Sequence, residues 1–105
     1  MWKVEYLRES LDDIKRLDHS QRVQVIKAIG KASENPLPRA EGGYGKPLSN
    51  KGGTNLAGYC KIKLVKLGLR VVYKVVRERL AMIIIVVSAR EDDEAYIMAQ
   101  KRIEE

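Results

Sequence analysis

From Leu80 to Val87 the chain reads Leu-Ala-Met-Ile-Ile-Ile-Val-Val, eight residues without a polar side chain. A run of this length is too short to cross a membrane as a helix. Its length and its β-branched residues favour a strand. A strand without polar alternation is buried on both faces, so it belongs in the interior of a sheet. The rest of the chain must supply its neighbours.

Those neighbours are legible just upstream. Lys61-Ile62-Lys63-Leu64 and Arg70-Val71-Val72-Tyr73 alternate polar with apolar around a short turn through Gly68. Period-two alternation marks half-buried strands, and the spacing marks a hairpin, with strands expected at 58–65 and 69–76. Directly opposed residues of an antiparallel pair share a face. With Lys63 opposite Arg70, Lys61 falls opposite Val72. Ile62, Leu64, Val71 and Tyr73 then point to the other side. One face is apolar and the other carries three cations. Arg77-Glu78-Arg79 makes the next turn, into the apolar strand.

Before the hairpin, residues 2–6 alternate strictly, with Trp2, Val4 and Tyr6 on one face of a first strand. Leu7, Leu11, Ile14 and Leu17 then recur at helical spacing. Asp18 and Gln21 form a capping box for a second helix, in which Val23, Ile26, Ile29 and Ser33 are expected to face inward. Asn35-Pro36 ends that helix, because a residue before proline avoids the helical region. Residues 35–57 hold all three prolines and five of the eight glycines, and no periodicity survives there. A connection so long reads as a functional or partly disordered loop. Gly45-Lys46 is followed by proline, so the segment is not a Walker loop. Its Lys46 and Lys51 suggest instead a weakly basic loop that touches a polyanion or a partner protein. Downstream, Glu91 to Glu94 place acids at the positive pole of a last helix near 92–103. Ala95, Met98, Ala99 and Ile103 share its inner face, and Lys101 and Arg102 suit its negative pole.

The order is β-α-α-β-β-β-α. It predicts an α+β fold: an antiparallel-dominated four-stranded sheet, an N-terminal helical hairpin packed on it, a short C-terminal helix, and the helices segregated on one face. All 105 residues fit one domain. The amino-terminal residues do not read as a signal peptide, and a cytoplasmic protein with no membrane association is expected.

The formal net charge of +6 suggests an anionic partner, with nucleic acid the leading class. The single cysteine, Cys60, excludes an internal disulfide and falls on the apolar face by parity, where thiols are inert. The single histidine, His19, sits at the junction of the two helices as a surface residue, in no metal spacing. Neither a Ser/His/Asp nor a Cys/His constellation is available, and no cofactor or metal site is expected. What remains is a cationic set, Lys61, Lys63, Arg70 and Arg90, with Tyr96 one turn into the last helix. RNA brings its own nucleophile, the 2′-hydroxyl, so a site that holds phosphoryl charge can cut it without a protein nucleophile. Arginine is forked and always ionised, and clustered lysines lower one another's pKa towards neutrality. The same cations would equally serve to solvate an exposed sheet face.

Tyr59-Cys-Lys-Ile-Lys-Leu, Gly68-Leu-Arg-Val-Val-Tyr-Lys-Val, Val87-Ser-Ala-Arg-Glu and Glu94-Ala-Tyr together resemble the RelE toxins of the RelE/ParE superfamily. The Gly45-Lys-Pro-Leu segment is also of that type. The resemblance implies the toxin of a type II toxin–antitoxin system: a ribosome-dependent endoribonuclease that cuts mRNA in the ribosomal A site. It implies a cognate antitoxin, mRNA and ribosomal RNA as partners. It assigns the catalytic set to Lys61, Lys63, Arg70, Arg90 and Tyr96. Tyr96 or a lysine would take the 2′-OH proton, Lys61, Lys63 and Arg70 would stabilise the phosphorane, and Arg90 or a lysine would assist the leaving oxygen. Two alternatives stay open, a ParE-like inhibitor of DNA gyrase and a non-catalytic RNA- or antitoxin-binding member.

Overall fold

The structure, a computed structural model, describes residues 1–48, 58–89 and 92–104. Its elements are β1 (Lys3–Tyr6), α1 (Arg8–Lys15), α2 (His19–Ala32), β2 (Lys46–Pro47), β3 (Tyr59–Leu64), β4 (Leu69–Val76), β5 (Ala81–Ser88) and α3 (Asp92–Glu104). The five strands form one sheet in the order β1-β5-β4-β3-β2. The β1–β5 pair is parallel and the others are antiparallel. The sequence predicts four strands; the fifth is the two-residue β2, too short to show a period.

The hairpin register is the one parity requires: Lys63 opposes Arg70, Lys61 opposes Val72 and Ile62 opposes Val71. Gly68 closes the turn in the left-handed region, at φ 66°, where a side chain is strained. The apolar β5 lies between β1 and β4, as its composition demands. Between β4 and β5 the register slips: Val72 faces Val86, but Tyr73 faces Ile84. Ile85 is therefore an extra residue, the signature of a β-bulge.

The helices do not share one face. Ile14, Val25, Ile29 and Ala32 of the helical hairpin cover Cys60, Val71, Tyr73, Met82 and Ile84. Tyr96 and Ala99 of α3 form a separate cluster with Leu48, Val72, Ile85 and Val86. Adjacent strand residues point to opposite faces, so α3 covers the side the hairpin helices leave bare. This is how β5 comes to be buried on both faces.

The helical stripes are also turned from the expected ones. Asp18 accepts from Gln21 N at 2.8 Å, completing the capping box as read. Yet Val25, Ile29 and Ala32 are the buried residues of α2, while Val23 and Ile26 are exposed. Leu11 of α1 is exposed too, and Asp13 is buried in its stead. Arg22 fixes the rotation by donating to the carbonyls of Ile14, Lys15 and Leu17 at the end of α1.

Residues 35–48, expected as loop, are tied firmly to the sheet. Tyr73, fully buried, donates its hydroxyl to the Pro36 carbonyl at 2.7 Å. Burial pushes this phenol far above its ordinary pKa, so it stays a donor. Gly45 fits beneath it because it has no Cβ. One placed there would lie 2.9 Å from Pro36 O, 3.0 Å from Cys60 Sγ and closer still to the Tyr73 hydroxyl. Arg77 grips Glu41 with both guanidinium nitrogens, at 2.9 and 2.7 Å. Tyr73→Phe leaves the Pro36 carbonyl buried and unpaired, and the expected loss is about 1–3 kcal/mol in urea denaturation. Residues 49–57, the remainder of the predicted loop, lie outside the described residues.

Candidate functional site

The register places like charges opposite one another twice. Lys63 faces Arg70 across β3–β4, and Lys46 faces Lys61 across β2–β3. Period two puts Lys61 and Lys63 on one side. Arg70 faces Ser88 in turn, so Lys63, Arg70 and Ser88 form a row across three strands. Lys46, Lys61, Val72 and Val86 form the adjoining row. Like charges directly opposed in a sheet destabilise it by a fraction of a kcal/mol each.

Lys61 does not lie on an open cationic face. It is 5% exposed, roofed by α3. Its Nζ donates to the Tyr96 hydroxyl at 2.7 Å and stands 5.4 Å from the ring centroid. Tyr96 is 2% exposed, packed with Val72, Val86 and Ala99. Ala95 and Ala99, both fully buried, let α3 approach closely enough to hold this contact. A buried ammonium is costly without hydrogen-bond acceptors, and Tyr96 supplies one. In this arrangement Tyr96 folds back over the sheet, and its ring is closed to a stacking base. Tyr96→Phe keeps the ring and removes the acceptor, and a loss of about 1–3 kcal/mol in urea denaturation is expected.

Lys63 is exposed and Arg70 half-buried, so these two meet solvent at the end of the hairpin. Arg90, the fifth predicted residue, lies outside the described residues. The structure thus brings together Lys61, Lys63, Arg70 and Tyr96, and sets beside them Lys46, expected only as part of a basic loop that touches a polyanion or a partner, and Ser88, which the sequence reading left out. Lys46 joins through β2, whose two residues carry no pattern. Ser88 ends an apolar strand, and only the β4–β5 register sets it beside Arg70.

A further pair behind the site was invisible in sequence. Arg102 of α3 donates to Asp13 of α1 twice, at 2.7 and 3.1 Å, and to the Ile85 carbonyl at 2.8 Å. Asp13 also accepts from Val87 N at 3.0 Å. Arg102, read as a helix-end charge, instead joins both helical layers through the bulged end of β5. Cys60 is 2% exposed beneath the other face. Burial raises its thiol pKa, with a hydrogen bond to Tyr73 in opposition, so it is a packing residue.

Forked and ammonium donors of this kind are chemically suited to phosphate oxygens. Against known proteins, no family model matches the chain. It is 27% identical over 103 residues to a protein of Escherichia coli named as a RelE-like toxin, covering 97% of each. In structure it is similar to a mutant of the E. coli toxin RelE in the free state, with a TM-score of 0.76 at 27% identity over 97% of both chains. It is also similar to the toxin–antitoxin complex RelBE2 of Mycobacterium tuberculosis, with a TM-score of 0.68 at 26% identity, covering 85% of this chain and 98% of that one.

Proposed function

We propose that this chain, RelE-like in sequence and in fold, is the toxin of a toxin–antitoxin pair and cuts mRNA in the ribosomal A site. The observation that carries the reading is the double row of like-charged strand neighbours, Lys46 and Lys61 beside Lys63 and Arg70. Ammonium and guanidinium donors gathered on adjoining strand positions are the kind of set that the oxygens of a phosphodiester meet.

In the reaction the RNA 2′-oxygen attacks the adjacent phosphorus, losing its proton. The bond from phosphorus to the 5′-oxygen breaks, and that oxygen gains a proton. The products are a 2′,3′-cyclic phosphate and a 5′-hydroxyl. Arg70 and Lys63, the accessible cations, hold the non-bridging oxygens as charge builds on them. Lys61 adds positive potential from below, where burial under α3 weakens screening by water. Tyr96 holds Lys61 in place. The resemblance adds Arg90 to the set, with Arg90 or a lysine assisting the leaving oxygen. With no histidine or carboxylate in the set, the rate comes chiefly from positioning and charge stabilisation. The ribosome supplies the rest of the positioning, which makes cleavage depend on it.

Two further parts of the reading follow from similarity. A cognate antitoxin binds the toxin and holds it inactive; RelBE2 of M. tuberculosis is likewise a toxin–antitoxin complex. The protein acts in the cytoplasm, where mRNA is translated; among the described residues no helix is long and apolar enough to cross a membrane.

Purified ribosomes programmed with a defined mRNA test the activity. The expected result is a cut within the A-site codon that leaves a 2′,3′-cyclic phosphate. Intact mRNA together with inhibition of gyrase supercoiling would overturn it in favour of a ParE-like activity.

A further inference from the structure

Beside β2 lies a groove of about 250 Å³ whose walls include Arg39, Tyr44, Lys46, Lys61, Lys63 and Val65. Four of these are cations, and no carboxylate is among the described residues that line it. Tyr44 is 46% exposed, with the Lys31 ammonium 5.7 Å from its ring centroid. Lys61 and Lys63 belong both to this groove and to the cationic rows above, so the two are continuous.

The segment that carries Arg39, Tyr44 and Lys46 is held in shape from several sides. Arg39 N donates to Gly45 O at 2.8 Å, Gly45 N to Leu37 O at 3.1 Å, and Tyr44 N to Asn35 O at 2.9 Å. Tyr73 anchors Pro36 from the core. Glu41, the acid of residues 35–48, is held by Arg77 and does not line the groove. An aromatic face and two cations are thereby fixed in place beforehand, which lowers the entropy lost when a flexible ligand binds.

We infer that this groove is a second RNA subsite: one base of a single strand stacks on Tyr44, and an adjoining phosphate sits on Arg39 and Lys46. A positive groove with an exposed aromatic is the combination that binds single strands with little sequence preference. The inference deepens the proposed function, since continuity with Lys61 and Lys63 makes the bound nucleotide a neighbour of the one that is cut.

Fluorescence anisotropy with a labelled single-stranded oligoribonucleotide and the full chain tests the subsite. Tyr44→Ala should raise Kd about 5- to 150-fold, and Tyr44→Trp should hold it near wild type. Arg39→Ala and Lys46→Ala should each reduce the slope of log K against log salt by about 0.7, the value for one phosphate on a single strand. All three side chains are exposed, so matching thermal melts would show that the fold is intact. On programmed ribosomes the KM for cleavage should rise in Tyr44→Ala. Wild-type oligonucleotide affinity and salt slope in these variants would overturn the subsite. So would a loss confined to antitoxin binding, which would make the groove a protein-docking surface. If the variants lose RNA affinity while wild type leaves programmed mRNA intact, the subsite stands and the cleavage reading falls.

Discussion

Under the proposed function, Arg70→Ala should lower the rate of A-site cleavage about 10²- to 10³-fold, the cost of removing one preorganised donor from a developing oxyanion. Arg70 stands between Lys63 on β3 and Ser88 on β5, in the interior of a three-strand row. Its planar fork can meet two non-bridging oxygens at once, which a lysine ammonium cannot. Arg70→Lys should therefore recover only part of the rate. The change sits at a half-buried strand position outside both apolar clusters, so the circular dichroism spectrum should be that of wild type. Single-turnover kinetics on programmed ribosomes would measure the effect. A rate within a factor of two of wild type would remove Arg70 from the site.

Asp13→Ala and Arg102→Ala should each destabilise the fold by about 3–5 kcal/mol, because each deprives the other of its close buried partner; the exposed Arg16, 3.9 Å from Asp13, replaces little of it. Arg102 is 13% exposed and Asp13 is 8% exposed, and the pair is bidentate. Asp13→Ala also deprives Val87 N of its acceptor, and Arg102→Ala deprives the Ile85 carbonyl of a donor. For a domain whose whole stability is of the order of 5–15 kcal/mol, either loss is a large fraction. The double variant should lose less than the sum of the singles, since neither charge is then left alone. Urea denaturation of the four proteins gives the cycle directly. Additive losses would show that the two side chains act separately. Because Arg102 ties α3 to β5, the single variants should also loosen Tyr96 over Lys61, seen as faster hydrogen exchange in α3.

The hairpin was legible in the sequence because two independent constraints agree there. Alternation assigns each residue a side, and the short turn at Gly68 fixes the register, so Lys63 meets Arg70 as parity requires. The burial of β5 on both faces was legible as well, from eight apolar residues in a row. Its consequence, a helix on each side, was contained in that reading, yet the order of elements alone suggested one layer. In α2, the spacing of Val23, Ile26 and Ile29 and that of Val25, Ile29 and Ala32 are both helical and share Ile29. Periodicity cannot choose between them; Arg22, reaching back to the carbonyls of α1, does. The place of Lys46 opposite Lys61 was hidden because a two-residue strand has no period. The Asp13–Arg102 pair was hidden because its partners are ordinary charges at opposite ends of the chain, brought together only when α1 and α3 close on β5. The cations of the candidate site were found by their chemistry. That Lys61 lies buried under Tyr96 depends on α3 crossing the second face, which no local pattern records.

The most direct measurement is primer extension on a reporter transcript after induction of the protein, with the start codon intact and with it removed. New 5′ ends within codons of the translated transcript, absent from the untranslated one and absent with Arg70→Ala, are the predicted result. Full-length transcript in every lane, or cuts of equal strength without translation, would contradict it.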